Sequence, residues 1–185
     1  MKKKYTVACL LLCIWLSFAG CIKPSIIYVI GEYGPGGGIV FYDQGSVINN
    51  WRYLEVTSMD MPVEPSWGPI STSTFANAQI IGTGEANTTA IVSTYGTGLV
   101  SYAARYCAED ISGGAEDWFL PSKDELMEIY TNLKLGNIGN LRDGYYWSSS
   151  ENDLNTAFAL NFTNGAWMVL SKSNHFKARS IRAFK

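Results

Sequence analysis

The chain is poor in the residues that most catalytic and metal sites require. Histidine occurs once, at His175, in 185 residues. A site built from several histidines is therefore excluded, and Cys107 with His175 alone makes a poor zinc site. No Gly-x-Ser-x-Gly elbow is present. A Ser-His-Asp triad would have to join His175 to Ser148, Ser149, Ser150 or Ser173 without the turn that exposes such a nucleophile. Cysteine is scarce as well. Cys9 and Cys13 lie in an N-terminal apolar run, Cys21 follows it, and only Cys107 remains beyond. The body of the chain can thus form no internal disulfide and no reactive cysteine pair. Cys107 stands among Ala103, Ala104 and Tyr106, which is the setting of a buried inert thiol. Charge is also low, with 16% of residues charged and a net of −2, which excludes wholesale electrostatic binding of nucleic acid. What is abundant is apolar: 47% hydrophobic and 14% aromatic. That rules out a disordered chain or a collagen-like repeat, and the length suits one domain with its own core.

The first residues read as a targeting segment. Lys2, Lys3 and Lys4 precede an apolar run from Val7 to Trp15, too short to span a bilayer comfortably, and then Ser17, Ala19, Gly20 and Cys21. This predicts a secretory signal peptide over residues 1–20. Phe18-Ala19-Gly20-Cys21 resembles the bacterial lipoprotein cleavage site, with Phe18 where leucine is usual, and implies lipid on Cys21. The alternative is ordinary cleavage with Cys21 incidental. Ile22, not aspartate, follows the cysteine, which resembles export to the outer membrane or cell surface of a two-membrane bacterium. The expected location is the cell envelope, with the membrane held through a lipid anchor. Without Lys2, Lys3 and Lys4 the balance is 11 basic against 16 acidic residues, a net of −5.

Residues 21–33 read as a tether, with Ile26 to Ile30 able to pack as an edge strand, and residues 34–185 as the domain. Gly34-Pro35-Gly36-Gly37-Gly38 leads into a strand Ile39–Tyr42. No Gly-Lys-Ser/Thr follows the glycines, so they read as structural and not as a phosphate loop. Trp51–Thr57 is a second strand. Met59–Ser73, with Pro62, Pro65 and Pro69, is an irregular surface loop. Phe75–Ile81 reads as a short helix. Asn87 is placed to cap a helix carrying Ile91, Val92 and Tyr95, and Leu99–Ala108 resumes with helical spacing. Ser122 and Glu125 stand in capping-box spacing ahead of Leu126, Ile129, Tyr130 and Leu133, one apolar helical face, with Gly136 closing it. Strands follow at Tyr145–Ser149, Thr156–Phe162, Ala166–Leu170 and Ala178–Phe184, with a hairpin turn at Asn164-Gly165. Phe158, Leu160 and Phe162 share one face. The order predicts an α+β fold with a mixed or antiparallel sheet and two main helices.

Five segments carry a family resemblance. They are Gly36-Gly37-Gly38-Ile39-Val40-Phe41-Tyr42, Ile81-Gly82-Thr83-Gly84 with Asn87-Thr88, and Asp117-Trp118-Phe119-Leu120-Pro121-Ser122-Lys123-Asp124-Glu125-Leu126. Tyr146-Trp147-Ser148-Ser149-Ser150-Glu151 and Arg179-Ser180-Ile181-Arg182-Ala183-Phe184 complete the series. Together, from about Gly34 to Phe184, the chain resembles the C-terminal domain family of bacterial collagen-like (Lcl) surface proteins. The resemblance implies a C-type-lectin-like fold, a secreted or surface-lipoprotein setting, and adhesion to polyanionic glycans. The quoted motifs themselves read as structural, with Trp118, Leu120, Trp147 and Phe184 in the core.

Charge is unevenly placed. Glu109 to Glu128 holds seven acids and one lysine, whereas Lys172 to Lys185 holds five basic residues and no acid. These are either two solvated faces that meet or a cationic patch for an anionic partner. If the last four strands ran up and down in succession, the 150–155 and 171–177 connections would share one end of the sheet. Glu151, Asn152, Asp153 and Asn155 would then lie near Lys172, Ser173, Asn174, His175 and Lys177. This is the candidate binding end, with donors and acceptors for hydroxyl groups and lysines for sulfate or carboxylate. The Glu151–Asp153 stretch is the only dense oxygen cluster of the kind calcium requires, and it lacks the sequence patterns of calcium-dependent lectins. No metal or other cofactor is expected. The chain reads as a non-catalytic binding lipoprotein whose partner is a glycan or an envelope or host protein. The alternative is a structural lipoprotein that holds another membrane protein.

Overall fold

The computed structural model describes residues 26–98 and 101–185. The expected signal peptide, the lipid site Cys21 and Leu99 lie outside them. The architecture is α+β: two antiparallel three-stranded sheets with a few helices between and around them. The first sheet has the order β1-β2-β6, from β1 (Ile39–Ile48), β2 (Trp51–Val56) and β6 (Ile181–Phe184). The second is the meander β3-β4-β5, from β3 (Tyr145–Glu151), β4 (Thr156–Asn161) and β5 (Ala166–Ser171). Among the described residues the helices are α1 (Gly84–Tyr95), α2 (Ala103–Ala108) and α3 (Lys123–Ile129), of which α2 is a short one. A single π turn, Tyr130–Lys134, prolongs α3.

The helix start at Ser122 has the predicted form. The Ser122 hydroxyl accepts from the Glu125 amide, and the Glu125 carboxylate accepts from the Ser122 amide at 2.6 Å, the reciprocal bonds of a capping box. Leu126, Ile129 and Leu133 then face a core shared with Ile39, Phe41, Leu54 and Val56 of the first sheet, Tyr146 and Leu160 of the second, and Phe162 just past β4. A second cluster joins Trp67, Ile91, Tyr102, Cys107, Leu120 and Trp147 to Ala157, Ala159 and Ala178. Strand β4 therefore contributes to both clusters, with Leu160 to one and Ala157 and Ala159 to the other. Phe158 is only half-buried, with the Lys123 ammonium 4.6 Å from its ring centre. Trp118, Leu120, Trp147 and Phe184 are all buried, as the sequence implies.

Several local expectations are corrected. Ile26–Ile30 is not a strand. It is an irregular strap whose Tyr28 ring lies edge-on to Tyr53 and Phe184, covering the outer face of the first sheet. Phe75–Ile81 is not a helix, because its carbonyls bond to distant partners instead of to one another. Ala76 accepts from the Glu151 amide, Ala78 from Asn87 and Ser150, and Gln79 from the Asp124 amide. Asn87 is not a cap. Thr83 stands at the start of α1, and Asn87 is buried one turn in, donating to the Ala78 carbonyl at 2.7 Å. The loop after Met59 is irregular as expected but not wholly superficial, since Trp67 is fully buried within it.

The last strand is also shorter and elsewhere than expected. β6 does not continue the meander beside β5 but pairs with β2, Tyr53 opposite Phe184 and Val56 opposite Ile181. On the way the chain crosses to the free edge of β3, where the Lys177 carbonyl accepts from the Trp147 amide at 2.9 Å. The crossing buries Ala178, Arg179 and Ser180 and ties the C-terminus to the N-terminal hairpin.

Candidate functional site

The two predicted connections do share one end of the second sheet. The register sets this: Glu151 lies opposite Ala157, and Thr156 opposite Ser171, so the exit of β3 and the exit of β5 are neighbours. The four-residue loop containing Asn164-Gly165 closes the other end, with Gly165 at φ +73°. The meander β3-β4-β5 alone produces this arrangement, whatever β6 does.

What gathers there points inward. The Lys172 side chain has no solvent exposure, and Glu151 has almost none. Their charged groups form a buried ion pair. The ammonium also donates to the carbonyls of Thr72 at 2.9 Å and Leu154 at 3.1 Å, which uses all three of its N–H groups. It lies 4.8 Å from the Trp67 ring centre, a cation–π contact. The Glu151 carboxylate additionally accepts from the amides of Thr74 and Phe75 and from the Ser73 hydroxyl. Burial pushes the Glu151 carboxyl up, but Lys172, the Thr74 amide and the Ser73 hydroxyl outweigh it and hold the group below its ordinary value. Asn155 extends the same network, its side-chain oxygen accepting from the Ser71 amide at 3.0 Å.

The remaining predicted residues behave differently. Asp153 caps its own loop, accepting from the amides of Asn155 and Thr156, and these bonds lower its pKa. Asn152 donates to Asp153 and Thr156. Asn174 is half-buried, with its amide on the Ser171 carbonyl. His175 is exposed, and its backbone forms a bridge with Ser66. Lys177 turns to Glu64 at 3.1 Å and away from the others. The C-terminal basic run therefore builds no patch. Arg179 is buried against Asp60, and Arg182 is paired with Glu55 and Asp117. Of these acids only Asp117 belongs to the 109–128 run, so the two uneven segments, which also pair through the Phe119 and Ile181 backbones, share one ion pair among those described. Among the described residues, no group of three or more His, Cys, Asp or Glu side chains is placed to hold a metal ion.

The consequence of the buried pair lies one layer outward, in residues the sequence reading passed over. The segment from Ile70 to Phe75 is laced to the sheet end by Lys172, Glu151 and Asn155. On its other side the Tyr95 hydroxyl donates to the Pro69 carbonyl at 3.0 Å. Held this way, Phe75 adopts φ +58° and is 81% exposed. A bulky non-glycine residue in the left-handed region is strained by about 1–2 kcal/mol. Ser71 is left-handed too, at φ +65°. Ile70 and Leu154, on the two segments so joined, are about half exposed. The arrangement offers an aromatic side chain to solvent on a loop fixed by at least six hydrogen bonds. The three prolines marked the loop, but no local pattern marks Phe75.

The glycine-rich turn resolves differently. Its amides are already occupied by an internal anion. The fully buried Glu55 carboxylate accepts from Gly36 and Gly38, each at 2.9 Å, and is paired with Arg182 at 2.8 Å. Gly113, at φ +62°, packs so close that a Cβ there would collide with the Gly36 carbonyl. A groove of about 570 Å³ opens beside this turn, between the 57–62 segment, Tyr106 and Trp118. Cys107 is fully buried, and burial raises its thiol pKa far above the ordinary value, the setting of a structural thiol.

Neither a known protein family nor a curated protein sequence matches the chain. Among solved structures, a fimbrial protein from Bacteroides ovatus is similar in fold, with a TM-score of 0.54 over 74% of this chain at 14% identity. The match spans only 36% of that protein. At this identity the likeness concerns the fold alone. Among the described residues, no helix is long and apolar enough to cross a membrane.

Proposed function

We propose that this chain is a non-catalytic binding protein of the bacterial cell surface, exported by residues 1–20 and anchored by lipid on Cys21. Its domain, residues 34–185, is of the lectin-like kind that the resemblance to collagen-like surface proteins implies. The observation that carries the reading is Phe75: a strained, exposed aromatic residue on a loop that a buried ion pair holds rigid. Strain of this kind persists where the surroundings over-determine it, and it clusters at ligand-contacting sites. An exposed ring on a pre-ordered loop presents apolar area without an ordering cost on binding, to the apolar face of a sugar or to a partner's side chain. The fold likeness to a fimbrial protein is in keeping with a surface role. The ligand favoured is a neutral glycan or a protein surface. Lys172, Lys177 and Arg182, which an anionic glycan would need, are already paired.

A glycan array probed with the mature protein, together with pull-down from envelope extracts, tests this. Saturable binding that Phe75→Ala weakens at least tenfold, with little response to salt, supports the reading. Binding that is steeply salt-dependent and indifferent to Phe75→Ala refutes it.

A further inference from the structure

The strap that precedes the first sheet is unusually apolar for an exposed segment. Ile26, Ile27 and Val29 are 61–71% exposed, Tyr33 is 68% exposed, and Ile30 is exposed to a smaller degree. Tyr28 alone turns inward, onto Tyr53 and Phe184. The strap is not free to swing. The Gly31 amide donates to the Val40 carbonyl at 2.8 Å, the Val40 amide to the Glu32 carbonyl at 2.9 Å, and Tyr33 bridges to Ile39. The fold therefore fixes a ridge of four aliphatic side chains and one tyrosine that it does not cover. Folding gains little from their apolar character.

Chain length decides what meets this ridge. Between Cys21 and Ile26 lie only Ile22, Lys23, Pro24 and Ser25. Five residue steps, fully extended, reach about 17 Å. If Cys21 carries lipid, Ile26 cannot stand farther than that from a residue fixed at the membrane surface. The interfacial zone on each side of the hydrocarbon is itself about 5–8 Å deep. A folded domain on so short a leash has the strap as its nearest element to the bilayer. Membrane-surface binding grows with the apolar area that side chains bury at the acyl boundary, and tyrosine is enriched at the interface because its ring is apolar and its hydroxyl polar.

We infer that the 26–33 strap is a membrane seat: Ile26, Ile27, Val29 and Ile30 insert at the lipid interface, with Tyr33 at headgroup level, and dock the domain directly onto the bilayer. This rests on the lipidation of Cys21 proposed above. The seat adds a second membrane contact to the acyl chains and fixes which side of the domain faces the lipid, so the protein is a docked module and not one on a flexible stalk.

The chemistry of the chain gives a clean test. Cys107 is buried and unreactive, so Ile27→Cys and Val29→Cys in the full chain each add one accessible thiol. Both sites are solvent-exposed, so neither change disturbs the core. Each variant is produced with its signal, spin-labelled, and reconstituted in vesicles of phosphatidylethanolamine and phosphatidylglycerol at 3:1. The accessibility of the label to oxygen and to a water-soluble nickel complex is then measured, and the mass of the N-terminal peptide reports lipid on Cys21 in the same sample. The expected result is lipid on Cys21, with oxygen accessibility several-fold above that of nickel at both positions. Lipid on Cys21 with labels as nickel-accessible as in water overturns the seat and leaves the anchor standing. An N-terminal peptide without lipid overturns the anchor and the seat together.

Discussion

Replacing Lys172 by methionine tests whether the buried ion pair holds the Phe75 loop. The change keeps an unbranched side chain of nearly the same length but removes the ammonium, and with it the cation–π contact on Trp67. Three groups then lose their partner: the Glu151 carboxylate and the carbonyls of Thr72 and Leu154. Breaking one side of a buried pair costs about 3–5 kcal/mol, since the remaining charge stays desolvated. For a domain of this size each kcal/mol lowers the melting temperature by about 2–4 °C, so the loss is on the order of 10 °C. The double variant Lys172→Met/Glu151→Gln removes both charges. It is expected to lose about 1–3 kcal/mol less than the sum of the single changes. Denaturant titration of the four proteins measures this coupling.

The same pair predicts a pH dependence with a definite sign. The folded Glu151 pKa lies below its ordinary 4.5. The stability it contributes is therefore complete above pH 4.5 and is lost as pH falls through the folded value. Lys172→Met removes the largest influence that lowers it. The stability gap between wild type and variant should thus narrow as pH drops below 4.5. A variant within 1 kcal/mol of wild type at pH 7, or a gap that widens on acidification, would refute the account.

Other substitutions probe separate parts of the structure. Glu125→Ala orphans the buried Ser122 amide and removes the acceptor of the part-buried Gly82 bond, and should cost about 2–4 kcal/mol by denaturant titration. Burial raises the Glu125 pKa, so its contribution is complete below its ordinary 4.5 and is lost as pH rises through the folded value. Glu125→Gln should therefore gain on wild type as pH rises above 4.5, and a difference constant with pH would contradict that. Gly113→Ala meets both a left-handed backbone and the Gly36 carbonyl, and should lower stability by at least about 2 kcal/mol in a thermal melt. Phe75→Asn places a residue that tolerates φ +58° at the strained position. It should stabilise by about 1 kcal/mol while abolishing ligand binding, and a destabilised variant would show that the ring is structural.

The contrast between the two glutamates of the second half shows what was legible in the chain. Glu125 announces itself, because its partner Ser122 is three residues away and an apolar helical face follows. Local spacing suffices where the bonds are local. Glu151 also stands out as part of an acidic cluster, and the meander places it beside Lys172 through hairpin register alone. What spacing does not convey is direction. The two side chains turn inward because the 72–75 segment, 76 to 100 residues earlier, brings the Thr74 and Phe75 amides to the carboxylate and the Thr72 carbonyl to the ammonium. The same remote bonding unmakes the expected Phe75–Ile81 helix, whose carbonyls are claimed by Glu151, Asn87 and Asp124. It also moves β6 away from β5, since an apolar strand reads alike beside either neighbour. Glu55 follows this rule as well. The glycine turn asks for an anion, and only the β1–β2 register shows that a carboxylate seventeen residues past Gly38 supplies it. Two of the polar residues that seemed free for a ligand, Glu151 and Lys172, were thus fully engaged within the fold. The exposed group that their network holds in place is an apolar one, Phe75, whose exposure depends on bonds made by others.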